Sequence, residues 1–242
     1  MRKLRFLRLP RRWRSALVVA STPSTLGDTT VTTEPSTIEF WFEFGSNYSY
    51  LSVMRIEDAA REKGVPIIWK AFLLGPIFRA LGMANSPFVL QKEKGAYVWR
   101  DMERQCRKFG LLWRQPNTFP RVGVLPSRVA LLGAEQSWIG AFCRRVMELN
   151  FVLDQDINQA DRLTPILTEL GLSAEEILDQ AQAEPTKKRL REQTEEARSR
   201  GIFGAPTFFV GTEMFWGNDR LDDALLFASE QIVESSLSQA RQ

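Results

Sequence analysis

The stretch Ile38 to Ser52, IEFWFEFGSNYSYLS, constrains the chain more than any other. Ile38, Phe40, Phe42 and Phe44 alternate with Glu39, Trp41 and Glu43, the period-two pattern of a β-strand with two chemically different faces. Gly45 ends the run. Ser46, Asn47, Tyr48 and Ser49 suit a turn and a helix N-cap, and Tyr50, Leu51, Met54 and Ile56 open an apolar helical stripe predicted to reach Gly64. A strand feeding directly into a helix gathers unpaired backbone N–H groups around the loop. An anionic group or a thiolate resting near Ser46 would be stabilised there.

At 242 residues the chain suits one large domain, or a small domain carrying an insertion, with apolar content for a sizeable core. It contains no histidine, which removes histidine general bases, Ser-His-Asp triads and nearly all zinc and non-haem iron sites. Cys106 and Cys143, the only two cysteines, lie far apart inside helical patterns and read as buried free thiols suited to a reducing compartment.

The net charge of +3 is unevenly spread, because Arg2, Lys3, Arg5, Arg8, Arg11, Arg12 and Arg14 stand in the first fourteen residues without an acid. The remainder is therefore mildly acidic, and no nucleic acid partner is expected. Residues 1–37 read as a disordered or targeting tail, or as the product of a start codon chosen too far upstream. Their apolar run, Ala16 to Ala20, is too short to span a bilayer, so no membrane partner is expected either.

Val65 to Ala71 reads as a second strand and completes a strand-helix-strand unit. Its end is placed beside the Ser46 loop by the right-handed crossover rule. From 73 to 200 the pattern is helical. Lys94 to Phe109, Pro126 to about Phe151, Gln159 to Leu170, a segment opened by a capping box at Ser173, and a charged segment ending at Gly201 are punctuated by Gly, Pro and Asn. Such a block within a small α/β fold reads as an insertion that covers the sheet edge and builds a pocket wall.

The α/β pattern resumes at Gly204-Ala205-Pro206-Thr207-Phe208-Phe209-Val210. Thr207 to Val210 is a predicted strand, Glu213 to Trp216 its hairpin partner, and Leu221 to Ile232 a closing helix. A cis peptide at Pro206 would leave the backbone of Ala205 free to pair with an extended peptide, although most X–Pro bonds are trans. Asp219 at the last helix start is suited to capping or to holding an ammonium group. Ser46 and Ser49 equally suit ordinary capping.

Together, FxFxSxYSYL after the first strand, GAPTFFV before the third and FWGNDRLDDAL into the last helix resemble the 2-hydroxychromene-2-carboxylate isomerases and the related kappa-class glutathione transferases. The resemblance covers about residues 38 to 230. It implies a thioredoxin-like α/β fold, DsbA-related, formed by residues 38–72 and 201–232, with an all-helical insertion at 73–200 and a C-terminal tail at 233–242. In thioredoxin-like proteins the first loop carries Cys-x-x-Cys. Here Ser46 and Ser49 stand at that spacing, so the reactive sulfur would belong to glutathione.

The resemblance further implies Ser46 as the catalytic serine that hydrogen-bonds the glutathione sulfur, with Asn47 where the family usually has proline. It implies a cis Pro206, Ala205 pairing with the cysteinyl part of glutathione, and Asn218 and Asp219 at its γ-glutamyl end. Asn85 and Lys94 keep the spacing of two insertion residues that line the kappa site. The implied reaction converts 2-hydroxychromene-2-carboxylate to trans-o-hydroxybenzylidenepyruvate through transient addition of the glutathione thiolate. A small aromatic carboxylate substrate, a homodimer and a cytoplasmic location, or an organellar matrix if the tail is a transit peptide, go with it.

Phe72, Tyr97, Trp99 and Arg100 are candidate substrate contacts, though core packing or solvation would equally account for each. The competing expectations are a kappa-like transferase or peroxidase and a non-catalytic thioredoxin-like binding module. A disulfide oxidase is disfavoured, because no cysteine occupies the loop.

Overall fold

The computed structural model describes residues 36–239, with side chains through Ile232. The basic tail expected at 1–37 therefore lies almost wholly outside the described residues. Strand β1, Ile38–Phe42, forms where the aromatic alternation predicts it. It runs parallel to β2, Ile67–Ala71, with Phe40 opposite Trp69, and antiparallel to β3, Thr207–Val210, with Phe40 opposite Phe208. Strand β4, Glu213–Trp216, pairs with β3 as its hairpin partner and completes a four-stranded mixed sheet in the order β2-β1-β3-β4.

Both faces of the sheet are covered. One packs Phe40, Phe42, Phe208 and Val210 against Tyr50 and Leu51, while the other buries Trp41 and Phe209 with Phe72, Leu74, Ile77 and Ile202. Trp41 is thus core rather than solvent-facing, and its indole N–H donates to Glu39 at 2.8 Å.

The helix expected from Ser46 to Gly64 is divided into α1, Asn47–Val53, and α2, Ile56–Lys63. At the junction Arg55 has φ −120° and sends its guanidinium to Asn218 and Asp222, beneath the ring of Phe109. Gly64, at φ +66°, ends α2 in the left-handed conformation that glycine adopts at low cost.

Between β2 and β3 the chain forms α3 (Leu74–Ala80), α4 (Pro87–Leu90), α5 (Lys92–Phe109), α6 (Val124–Gly133), α7 (Ile139–Phe151), α8 (Ala160–Glu169), α9 (Ala174–Gln182) and α10 (Glu184–Ser199). The single helix expected from Pro126 to Phe151 is two. The ring of Trp138 fills the space that a side chain on Gly133 would need, and the chain turns there between α6 and α7. Ser173 occupies the N-cap position of α9, but its hydroxyl makes no capping bond. The last helix, α11, spans Leu221–Gln239 and so continues past Ile232.

Candidate active site

The Ser46 loop leaves the carboxyl end of β1 under restraint from several sides. The Ser46 N–H donates to the Glu43 carbonyl at 3.1 Å, and the Glu43 N–H donates to the Ser49 hydroxyl at 3.4 Å. Ser46 caps α1 by accepting from the Ser49 N–H at 3.2 Å. From the helical block, Asn150 donates to the Phe44 carbonyl at 2.9 Å and accepts from Arg121 at 3.0 Å. Arg121 also pairs with the buried carboxylate of Asp154, holding that carboxyl below its usual range. Its own carbonyl oxygen would lie 2.6 Å from a Cβ on Gly45, so only glycine lets the two backbones approach this closely.

Ala205 closes the site opposite Ser46. The Ala205–Pro206 peptide is cis, as the resemblance implies, and the Phe119–Pro120 peptide is a second cis bond on the Gly45 side. The Ser46 hydroxyl donates to the Ala205 carbonyl at 2.9 Å. The β1–β3 ladder begins only at Thr207, which leaves the Ala205 N–H outside it. The turn is pinned by bonds from Gly217 N–H to the Pro206 carbonyl, 3.0 Å, and from the Thr207 hydroxyl to the Gly204 carbonyl, 2.9 Å.

Asn218 is buried in the short 3₁₀ turn Asn218–Arg220, and its carbonyl oxygen accepts from Ser52 on α1 at 3.1 Å and from Arg55 at 3.3 Å. This ties the turn to the Ser46 helix. Asp219 is exposed and pairs with Arg220 at 3.4 Å. Asn85 caps its own neighbour, accepting from the Ser86 N–H at 2.7 Å, and Lys94 stands exposed on the first turn of α5 with no ion-pair partner among the described residues. Neither makes a hydrogen bond to the Ser46 loop. Ser46 and Ala205 are thus linked directly, and Asn218 is tied to the Ser46 helix through Ser52, whereas among the described residues Asn85, Lys94 and Asp219 make no hydrogen bond to any of them.

Three features escape the sequence patterns. The Tyr48 hydroxyl donates to Asp101 on α5 at 2.7 Å, while Tyr97 and Asp219 face it. Burial first, and then the Asp101 carboxylate, push the Tyr48 phenol up. Glu43 accepts from the Leu74 N–H at 3.2 Å, and desolvation raises its carboxyl to about 7. Asn47 is buried, and its amide nitrogen has no partner among the described residues. An acid among the aromatic residues at the end of the first strand could have flagged Glu43, but nothing local flags Asp101, Arg121 or Asn150.

The proposed substrate contacts fare differently. Phe72 is fully buried against Trp41, Trp99 is locked between Trp113 and Phe119, and Arg100 pairs with Glu103; only Tyr97 is a largely exposed ring. Neither cysteine can serve as a site thiol. Both are buried, and desolvation pushes Cys106 up to about 12 and Cys143 well above its ordinary value. Among the described residues no group of acids and cysteines could hold a metal, and no helix is long and apolar enough to cross a membrane.

Comparison with known proteins bears on the family and the fold. The DSBA-like thioredoxin domain family matches residues 37–226. The 2-hydroxychromene-2-carboxylate isomerase of Pseudomonas putida is 30% identical over 190 residues, covering 76% of this chain and 90% of the relative. That of Sphingobium xenophagum is 28% identical, covering 77% and 94%. Glutathione S-transferase kappa 2 of Caenorhabditis elegans is 23% identical, covering 80% and 92%. The solved structure of a 2-hydroxychromene-2-carboxylate isomerase superposes with a TM-score of 0.71 at 24% identity, covering 85% of this chain and 98% of the other. The chain belongs to the 2-hydroxychromene-2-carboxylate isomerase family, within the DSBA-like thioredoxin domains.

Proposed function

We propose that this protein is a glutathione-dependent isomerase of the 2-hydroxychromene-2-carboxylate type. The observation that carries the reading is the Ser46 hydroxyl set 2.9 Å from the Ala205 carbonyl beside cis Pro206. In a DSBA-like fold this loop is where a sulfur acts, and both cysteines of this chain are buried elsewhere.

The residues present fit glutathione. Ala205 offers a backbone N–H and C=O outside the sheet ladder, the pair an extended peptide needs for strand-like association. The Ser46 hydroxyl donates its hydrogen bond to the Ala205 carbonyl. Turning that hydroxyl toward a sulfur releases the carbonyl for a peptide N–H, so the two contacts are exchanged together and no polar group is left unpaired. Ser46 would hold the sulfur, Ala205 and Pro206 the cysteinyl backbone, and Asp219 the γ-glutamyl ammonium, with Asn218 keeping the turn against α1. Asn85 and Lys94 remain candidates for the glycyl end, Lys94 through its free charge. When bound, glutathione supplies a nucleophilic thiolate, and hydrogen bonding by Ser46 favours that charged form near neutral pH.

The substrate would be a small aromatic carboxylate. A homodimer in a reducing compartment such as the cytoplasm completes the proposal, in keeping with the two free thiols. The similarity to a kappa-class transferase favours one second reading, in which the same thiolate site releases a conjugate.

The test is conversion of 2-hydroxychromene-2-carboxylate by wild type and Ser46→Ala with and without glutathione, followed by product analysis. Isomerisation that needs both glutathione and Ser46 supports the proposal. A released glutathione conjugate would favour the transferase, and turnover without glutathione would overturn both.

A further inference from the structure

We infer that Phe203 and Trp216 form the aromatic platform on which the substrate's ring lies, a specificity-determining subsite on the Ala205 side of the Ser46 hydroxyl. The inference depends on the isomerase reading for the identity of the ring.

Four observations support it. Phe203 and Trp216 are 42% and 52% exposed, and their ring centroids lie 4.7 Å apart at an interplanar angle of 58°. Large aromatic rings left in water beside a candidate site favour a further planar partner. The indole of Trp216 occupies the space that a side chain on Gly204 would need, so Gly204 is what allows the indole to lie against the backbone immediately before Ala205. The pair is also fixed to the site. Trp216 stands opposite Thr207 in the β3–β4 register, and the following residue, Gly217, donates to the Pro206 carbonyl at 3.0 Å. Finally, the other aromatic candidates are mostly committed, since Phe72 is core and Trp99 stacks on Trp113 and meets Phe119 edge to face.

One residue of backbone, about 3.8 Å between Cα atoms, separates Gly204 from Ala205, whose carbonyl meets Ser46. The indole thus lies against the residue that immediately precedes the carbonyl bonded by Ser46. Because Trp216 is held on β4 and Phe203 by the short run to Pro206, the platform is ordered before any ligand arrives, which lowers the entropy cost of stacking.

The test uses 2-hydroxycinnamate, a planar aromatic acid that carries the ring without undergoing isomerisation. Its binding to wild type, Trp216→Ala, Trp216→Phe and Phe203→Ala is followed by ligand-observed NMR, and glutathione binding to the same proteins by calorimetry. Trp216→Ala is expected to weaken 2-hydroxycinnamate about tenfold, the loss of one aromatic contact and its buried area, with Trp216→Phe retaining most of the affinity. Glutathione affinity should stay within about twofold of wild type, as expected for a contact to substrate alone.

Unchanged 2-hydroxycinnamate binding in Trp216→Ala would overturn the assignment. So would a selective loss of glutathione affinity, which would give the platform to the cofactor, or a change in sedimentation showing that the pair packs against a second copy. Failure of the isomerase reading is read separately, from the Ser46→Ala turnover assay, in which Trp216 is untouched.

Discussion

The side-chain amide of Asn150 donates to the main-chain oxygen of Phe44 at 2.9 Å, although 106 residues separate them. The last aromatic residue before the Ser46 turn is therefore held by α7, and the helical block takes part in shaping the loop as well as covering it. Asn150→Ala would leave the Phe44 carbonyl unpaired in a buried setting and remove an acceptor from Arg121. A loss of about 2 kcal/mol in urea denaturation is expected. A variant as stable as wild type would show that the bond does not hold the loop.

Gly45→Ala addresses the same loop sterically. A Cβ there would meet the Arg121 carbonyl oxygen at 2.6 Å, backbone against backbone, so neither side can yield by changing rotamer. Destabilisation of about 1–3 kcal/mol is expected, as for other overpacked sites, together with reduced glutathione affinity by calorimetry. Undiminished affinity in a folded variant would argue against close packing at Gly45 as a determinant of the site.

Ser46→Ala separates capping from chemistry. Loss of the cap should cost about 1 kcal/mol of stability. Loss of a hydrogen bond to a developing thiolate should lower kcat by roughly two orders of magnitude. The two effects are measured independently, by denaturation and by turnover. A stability loss without a rate loss would leave Ser46 a structural residue only.

Glu43 gives the protein a defined pH dependence. Its carboxyl titrates at about 7 when folded against an ordinary 4.5, so between these values the folded state holds a proton that the unfolded chain has released. Its contribution is therefore complete below about 4.5 and is lost as pH rises to about 7. The loss is roughly 3 kcal/mol if the whole shift is expressed. Glu43→Gln keeps an acceptor for the Leu74 N–H and removes the titration. Urea midpoints measured across this window should fall with pH in wild type and stay more nearly level in the variant; parallel curves would rule out Glu43 as the source.

The local patterns carried much of the architecture. Strand β1 and the β3–β4 hairpin follow from alternation and turn residues, because side-chain period and glycine placement are short-range properties. The resemblance also anticipated cis Pro206. The same patterns joined α1 to α2 and α6 to α7, because an apolar stripe does not reveal where Arg55 is drawn to Asn218 or where Trp138 fills the space beside Gly133.

By itself, then, the sequence determined the strand-loop-helix unit, the serine at its turn, the absence of a site cysteine and the order of the motifs, all of which depend on residue type and near neighbours. Only the tertiary structure decided that Ser46 meets Ala205, that Arg121 and Asn150 brace the loop, and that Phe203 and Trp216 remain open while Phe72 is sealed in the core. Those outcomes depend on which distant backbones approach one another, and contacts across more than a hundred residues leave no period in the chain to read.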